Sequence, residues 1–189
     1  TLVIAPTTVV FNWEAEIQKF TPELSCLKLS GADRKTLFKH IPEYDIVITS
    51  YALVRRDIAK LKKYNFRYII LDESQNIKNA ISQTAQAVKE LQSDHKLALS
   101  GTPIENKLEE LWSVFDFLMP GFLFNVAEFN YRYVTPIMER QDKTVEKRLK
   151  LQIFPFILRR MKRDVAKDLP DKVENMAYCE LTDEQRDFY

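Results

Sequence analysis

Short apolar runs alternate with stretches of helical periodicity along the first 120 residues, and this alternation constrains the fold more than any other feature. The apolar runs are LVIA (2–5), CLKL (26–29), DIVITS (45–50), RYIILDE (67–73) and KLALS (96–100). Between them lie VVFNWEAEIQKF (9–20), a polar stretch near 33–39, a stretch near 52–62 and ISQTAQAVKEL (81–91); KLEELWSVFDFLM (107–119) follows the last run. In 81–91 the residues Ile81, Thr84, Ala85, Val88 and Leu91 share one helical face. In 107–119 Leu108, Leu111, Trp112, Phe115, Leu118 and Met119 recur at helical spacing. Strand and helix in strict turn predict parallel crossovers, an α/β sheet with helices on both faces. Several strands are apolar throughout, as two-sided burial requires.

Each strand end carries polar chemistry. After LVIA stand Pro6, Thr7 and Thr8; after DIVI stand Thr49, Ser50 and Tyr51; after the 67–71 run stand Asp72, Glu73, Ser74 and Gln75; after LAL stand Ser100, Gly101, Thr102 and Pro103. In a doubly wound sheet, ligands sit at the carboxyl ends of the strands. Hydroxyls, carboxylates and helix N-termini on one rim suit Mg²⁺, phosphates and a phosphodiester backbone. The adjacent Asp72 and Glu73 repel one another, so a cation or a reaction accounts for them better than stability does. Ser-Gly-Thr-Pro taken alone is ordinary turn chemistry.

The net charge of +1 conceals an asymmetry. Lys147 to Lys167 holds eight basic residues against Asp164, a local +7 that leaves −6 for the remainder. This marks either a polyanion contact or a solvated helical face. Cys26 and Cys179 have neither metal-ligand spacing nor a nearby His, and are expected to be reduced structural thiols of a cytosolic protein. No stretch approaches the roughly 18 apolar residues of a membrane span, and no membrane partner is expected. Residues 122–156 contain aromatic and charged helical patterns with Pro136 and Pro155 as punctuation. VENMAYCELT near the end reads as a new strand leading into a helix, and both chain ends read as cuts through a longer protein.

Order and spacing together are specific where single motifs are not. LVIAPTTVVFNW, VITSY, LDESQNIKN and LALSGTPIENKLEELW resemble superfamily 2 helicase-like ATPases in sequence and arrangement. FILRRMKRDVAKDLPDKVE narrows the resemblance to the SWI/SNF family of DNA translocases. DESQ departs from the family's commoner Asp-Glu-Ala-His or Asp-Glu-Gly-His, its Gln resembling the bacterial branch. The resemblance implies a RecA-like P-loop NTPase lobe over 1–121, a helical protrusion over 122–156, a brace over 157–172 and the start of a second lobe over 173–189. It implies ATP and Mg²⁺ as cofactors and double-stranded DNA as partner, held by backbone contacts, with a nucleoprotein complex or RNA polymerase as the object acted on.

By the same resemblance Asp72 would hold Mg²⁺, Glu73 would orient and deprotonate the attacking water, and Gln75 would report the γ-phosphate to a coupling turn, Ser100-Gly101-Thr102. Pro6, Thr7, Thr8, Asn12, Thr49, Ser50 and Tyr51 would contact nucleic acid through amides and hydroxyls. Arg159, Arg160 and Lys162 would contact DNA or brace the lobes. Trp13 shares a face with Val9, Ile17 and Phe20, which favours core packing over base stacking.

The family's phosphate loop, G-x-x-x-x-G-K-[ST], is absent from this sequence, whose glycines are Gly31, Gly101 and Gly121. The 189-residue chain alone is therefore expected neither to bind ATP tightly nor to hydrolyse it. The family's sheet places that loop's strand beside LALS, so an open edge prone to association is expected there. A non-hydrolysing DNA- or partner-binding module and a strand-separating helicase are the competing functions. Duplex-DNA, RNA or no stimulation of ATPase in the full-length protein would separate them.

Overall fold

A computed structural model describes residues 1–101 and 108–160. Five strands, β1 (Leu2–Ala5), β2 (Cys26–Lys28), β3 (Ile46–Ser50), β4 (Asn65–Leu71) and β5 (Gln92–Ala98), form one parallel sheet in the order β2-β3-β1-β4-β5. The crossovers carry α1 (Val10–Phe20), α2 (Arg34–Leu37), α3 (Tyr51–Leu61) and α4 (Gln83–Lys89), and α5 (Leu108–Leu118) follows β5. β5 lies at the edge, as expected of the LALS strand.

Register fixes which side chains share a face. Leu2 and Ile4 stand beside Val47, Ile69 and Leu71, whereas Val3 stands between Ile48 and Ile70. The first set packs beneath α3, α4 and α5, with Val54, Leu61, Ala85, Val88, Val114 and Phe117 in the same cluster. The second set packs beneath α1, against Val10 and Ile17. Burying one such large aliphatic side chain contributes roughly 1.5–3 kcal/mol, so the first face supplies most of the stabilisation.

Several expectations require correction. The second face is covered over β1 and β3 but not over β4 and β5: Tyr68 is 40% and Leu97 46% exposed. An apolar strand sequence does not reveal which of its faces is covered. β4 and β5 also start earlier than their apolar runs, because Asn65 and Gln92 pair in register despite being polar. Ile81 is 80% exposed and precedes α4. Ser82 caps the N-terminus of that helix by accepting the Ala85 amide hydrogen at 3.2 Å, so the helix begins after Ile81, which never joins the buried face. Phe20, placed on the face of Ile17, is exposed beneath the Lys19 ammonium. The polar helix near 33–39 is a single α turn continued by a 3₁₀ stretch, Phe38–Glu43. Its Arg34 is buried against Asp57 of α3 at 2.7 Å.

After α5 the regular elements among the described residues are all helical: α6 (Val126–Phe129), a π-helical stretch Asn130–Val134, α7 (Thr135–Met138), α8 (Lys143–Ile153) and a 3₁₀ turn Phe154–Phe156. No helix among the described residues is long and apolar enough to cross a membrane. The chain divides into two compact units, Thr1–Glu146 and Lys147–Tyr189. Cys179, and the strand and helix expected after Val173, lie outside the described residues.

Candidate functional site

Parallel register brings four strand ends level. Ala5 pairs with Ser50, Ile4 with Leu71, and Leu71 with Ala98. The ladder continues past the strands: the Asp72 amide donates to the Ile4 carbonyl at 2.8 Å, Leu99 to Leu71 at 2.7 Å and Ser74 to Leu99 at 2.8 Å. The turns carrying Thr7, Tyr51, Asp72 and Ser100 therefore open onto one rim.

Asp72 is gripped from three directions. Its Oδ1 accepts the Glu73 amide hydrogen at 2.9 Å, its Oδ2 accepts the Trp13 indole N–H at 2.8 Å, and its backbone carbonyl accepts the Tyr51 hydroxyl at 2.7 Å. Tyr51 is buried, and that burial, followed by the charges of Asp72 and Glu73, pushes the ionisation of its phenol well above the ordinary range. The phenol stays protonated and remains a donor.

Glu73 stands at φ 49°, ψ 57°, the left-handed region. A non-glycine residue there costs on the order of 1–3 kcal/mol, and such positions concentrate at functional sites. The turn lets β4 pass directly into a 3₁₀ stretch, Ser74–Ile77. Ser74 is 1% exposed, which explains why a small residue occupies the position.

Gln75 connects two strand ends. Its Nε2 donates to Glu73 Oε2 at 2.7 Å, and its Oε1 accepts the Ser100 hydroxyl at 3.1 Å. A carboxylate can only accept, so the amide nitrogen must face Glu73 and the oxygen must face Ser100. One N–H of Gln75 is used on Glu73, leaving the second for a ligand.

Among the described residues every partner of the two carboxylates is neutral: an indole, a backbone amide and a side-chain amide. No three His, Cys, Asp or Glu gather into a metal cage among those residues. Mg²⁺ shared with phosphates needs only one or two carboxylates and keeps several waters. Each Asp72 oxygen accepts one hydrogen bond and retains acceptor capacity, so the donor set fits that ion.

The remaining candidates divide. Thr7, Thr8 and Asn12 are exposed, and Thr7 and Ser50 line the same small hollow with Phe11, Leu29 and Ser30. Thr49 is buried with its hydroxyl donated to the Leu29 carbonyl at 3.2 Å, so a hydroxyl grip on a phosphate is not open to it. Tyr51 likewise turns its hydroxyl to Asp72 rather than outward. Pro6 is half-buried, Ser50 is buried, and Ser100 and Gly101 are exposed. Arg159 and Arg160 are exposed in the second unit. Thr102, Pro103 and Lys162 lie outside the described residues.

Trp13 packs with Val9, Val10 and Ile17 as its periodicity predicts. Its bond to Asp72 lies outside what that periodicity predicts. The available signal was the indole N–H itself, which in a packed tryptophan usually finds a partner.

Known proteins resemble this chain along its whole length. The family model of the SNF2-related domain matches residues 1–189. TATA-binding protein-associated factor MOT1 of Saccharomyces cerevisiae is 42% identical over 201 residues, covering 100% of this chain and 11% of that protein. YwqA of Bacillus subtilis, whose name describes an ATP-dependent helicase/translocase, is 43% identical over 193 residues, 100% of this chain and 21% of that protein. The SWI2/SNF2 ATPase core of Sulfolobus solfataricus, solved in complex with double-stranded DNA, superposes with a TM-score of 0.83 at 45% identity, covering 100% of this chain and 40% of that one. The chain thus spans well under half the length of each of these relatives.

Proposed function

The chain belongs to the SNF2-related family with a RecA-like parallel sheet, and from that premise we propose that it is the catalytic-carboxylate part of an ATP-driven motor that moves along double-stranded DNA. The observation that carries the proposal is the unbroken path Glu73–Gln75–Ser100, which ties a half-buried carboxylate to the turn after β5.

In this reading Asp72 holds Mg²⁺, which neutralises charge on the triphosphate when bound. Glu73 orients the attacking water and accepts its proton, since Gln75 bonds Oε2 and leaves Oε1 available. Gln75 has one N–H to spare for the γ-phosphate, and its oxygen passes the change to Ser100. Thr7, Thr8 and Asn12 offer exposed donors to phosphodiester oxygens, with Pro6 and Ser50 shaping the turns beside them, fixing position on DNA without reading bases. The name of the yeast relative describes a TATA-binding protein-associated factor, which supports a nucleoprotein complex as the object moved.

Glu73→Gln in the full-length protein tests this. Turnover stimulated by duplex DNA should fall by about 10²–10⁴, with nucleotide binding retained. Stimulation by RNA alone, or turnover unchanged by the substitution, would overturn it. The 189-residue chain by itself should not bind MgATP at micromolar concentration by isothermal titration, because two carboxylates do not replace a nest of backbone N–H donors and a Lys.

A further inference from the structure

We propose that Trp13 is a positioning residue for the Mg²⁺-binding carboxylate: its indole N–H holds Oδ2 of Asp72 and ties it to α1, whose leading turn faces DNA. The inference rests on the motor reading above.

The hydrogen bond joins residues 59 positions apart at 2.8 Å. Packing alone does not require it, since a phenylalanine would fill the same place against Val10, Ile17 and Ile70. The rotation of a carboxylate about its last torsion is broad and weakly hindered. Here the Glu73 amide fixes Oδ1 and the indole fixes Oδ2, so two different elements set the carboxylate plane. Partners that orient a metal-binding side chain in this way are worth about 10–100-fold in metal affinity or activity.

The second consequence is coupling. Thr7 and Thr8 stand in the 3₁₀ turn Thr7–Val9 that opens α1, and Trp13 follows Thr8 by five residues, roughly 8 Å of helical rise. A helix this short moves as one body. A shift of its leading turn on DNA is delivered to Asp72 through one short hydrogen bond, while Tyr51 holds the Asp72 carbonyl from α3. DNA engagement and carboxylate orientation are thereby linked without any contact between DNA and Asp72.

The test uses the full-length protein. Trp13→Phe should fold and bind both DNA and nucleotide. Its DNA-stimulated turnover should fall about tenfold or more, and the Mg²⁺ concentration for half-maximal turnover should rise severalfold. A second readout needs no turnover. In protein labelled with 5-fluorotryptophan, the resonance lost in Trp13→Phe should move in Asp72→Asn and on addition of duplex DNA. The Trp112 resonance, whose indole bonds the Phe124 carbonyl at 3.2 Å, should not move. A spectrum in which no tryptophan resonance responds to Asp72→Asn overturns the proposal, as does Trp13→Phe with the parent's Mg²⁺ requirement and DNA stimulation. The fluorine comparison of parent and Asp72→Asn decides the case even where Trp13→Phe does not fold. Absence of DNA-stimulated hydrolysis in the parent would instead sink the motor reading and leave the fluorine result to judge the hydrogen bond.

Discussion

The two faces of the sheet are finished to different degrees. On the first, Leu2, Ile4, Ile69 and Leu71 are all 0% exposed beneath three helices. On the second, α1 is the helix that covers Val3, Ala5 and Ile48 among the described residues, and the cover stops before Tyr68 and Leu97. The faces meet at Asp72. Tyr51, which belongs to the first-face cluster, holds its carbonyl, and Trp13, packed on the second, holds its carboxylate. The difference teaches that the rim's backbone is fixed by the well-covered face, while the orientation of its key side chain depends on the lightly covered one.

The comparison breaks most visibly if the first face can be emptied without penalty. Phe117 is 0% exposed within the first-face cluster, and Phe117→Ala should cost about 3–5 kcal/mol, read as a lowered midpoint in chemical denaturation. Ile17→Ala removes an anchor of α1 from the second face and should cost about 2–3 kcal/mol, toward the low end for such truncations because the smaller cluster relaxes more easily. Equal losses at the two positions would show the faces to be equivalent.

Tyr51 sharpens the comparison at the seam. Tyr51→Phe removes the hydroxyl bond to the Asp72 carbonyl and should cost about 1 kcal/mol near neutral pH. The sign with pH follows from the raised ionisation of the phenol. The unfolded chain's tyrosine ionises near pH 10, whereas the folded one resists. The stability it contributes is complete below that pH and drains away as pH climbs above it. Parent and Tyr51→Phe should therefore differ in slope only on the alkaline side, measured by denaturation midpoints from about pH 8 to 11. A difference in slope on the acid side would contradict the assignment.

Much of this architecture is legible in the residues. LVIA, DIVITS and KLALS announce parallel strands because each is apolar on both faces, and the polar residues after them mark the rim because a crossover must turn there. Trp13 is less transparent: its place on the α1 stripe predicts packing whether or not its N–H has a partner, and that partner lies 59 residues away in the chain. Thr49 reads like Thr7 in sequence, yet the register with β2 spends its hydroxyl on the Leu29 carbonyl. The bare half of the second face was hidden for a related reason, since Tyr68-Ile69-Ile70-Leu71 is equally apolar with or without a helix above it.

Leu97 gives the smallest and most discriminating effect. It pairs with Ile70 in the register and shares the face of Val3, yet it is 46% exposed on the edge strand β5. Truncating a half-exposed side chain leaves no cavity, so Leu97→Ser should change stability by no more than about 0.5 kcal/mol. Its effect should appear in association instead. Beside Tyr68 and His95, whose rings stand 4.7 Å apart, Leu97 extends an apolar patch next to an edge whose outward backbone groups pair with no strand among the described residues. Such an edge templates pairing with another copy. In sedimentation at rising concentration, Leu97→Ser should shift the 189-residue chain toward monomer. A parent chain that is already monodisperse at high concentration, or a substitution that destabilises as much as Ile17→Ala, would show that this half of the second face is covered after all.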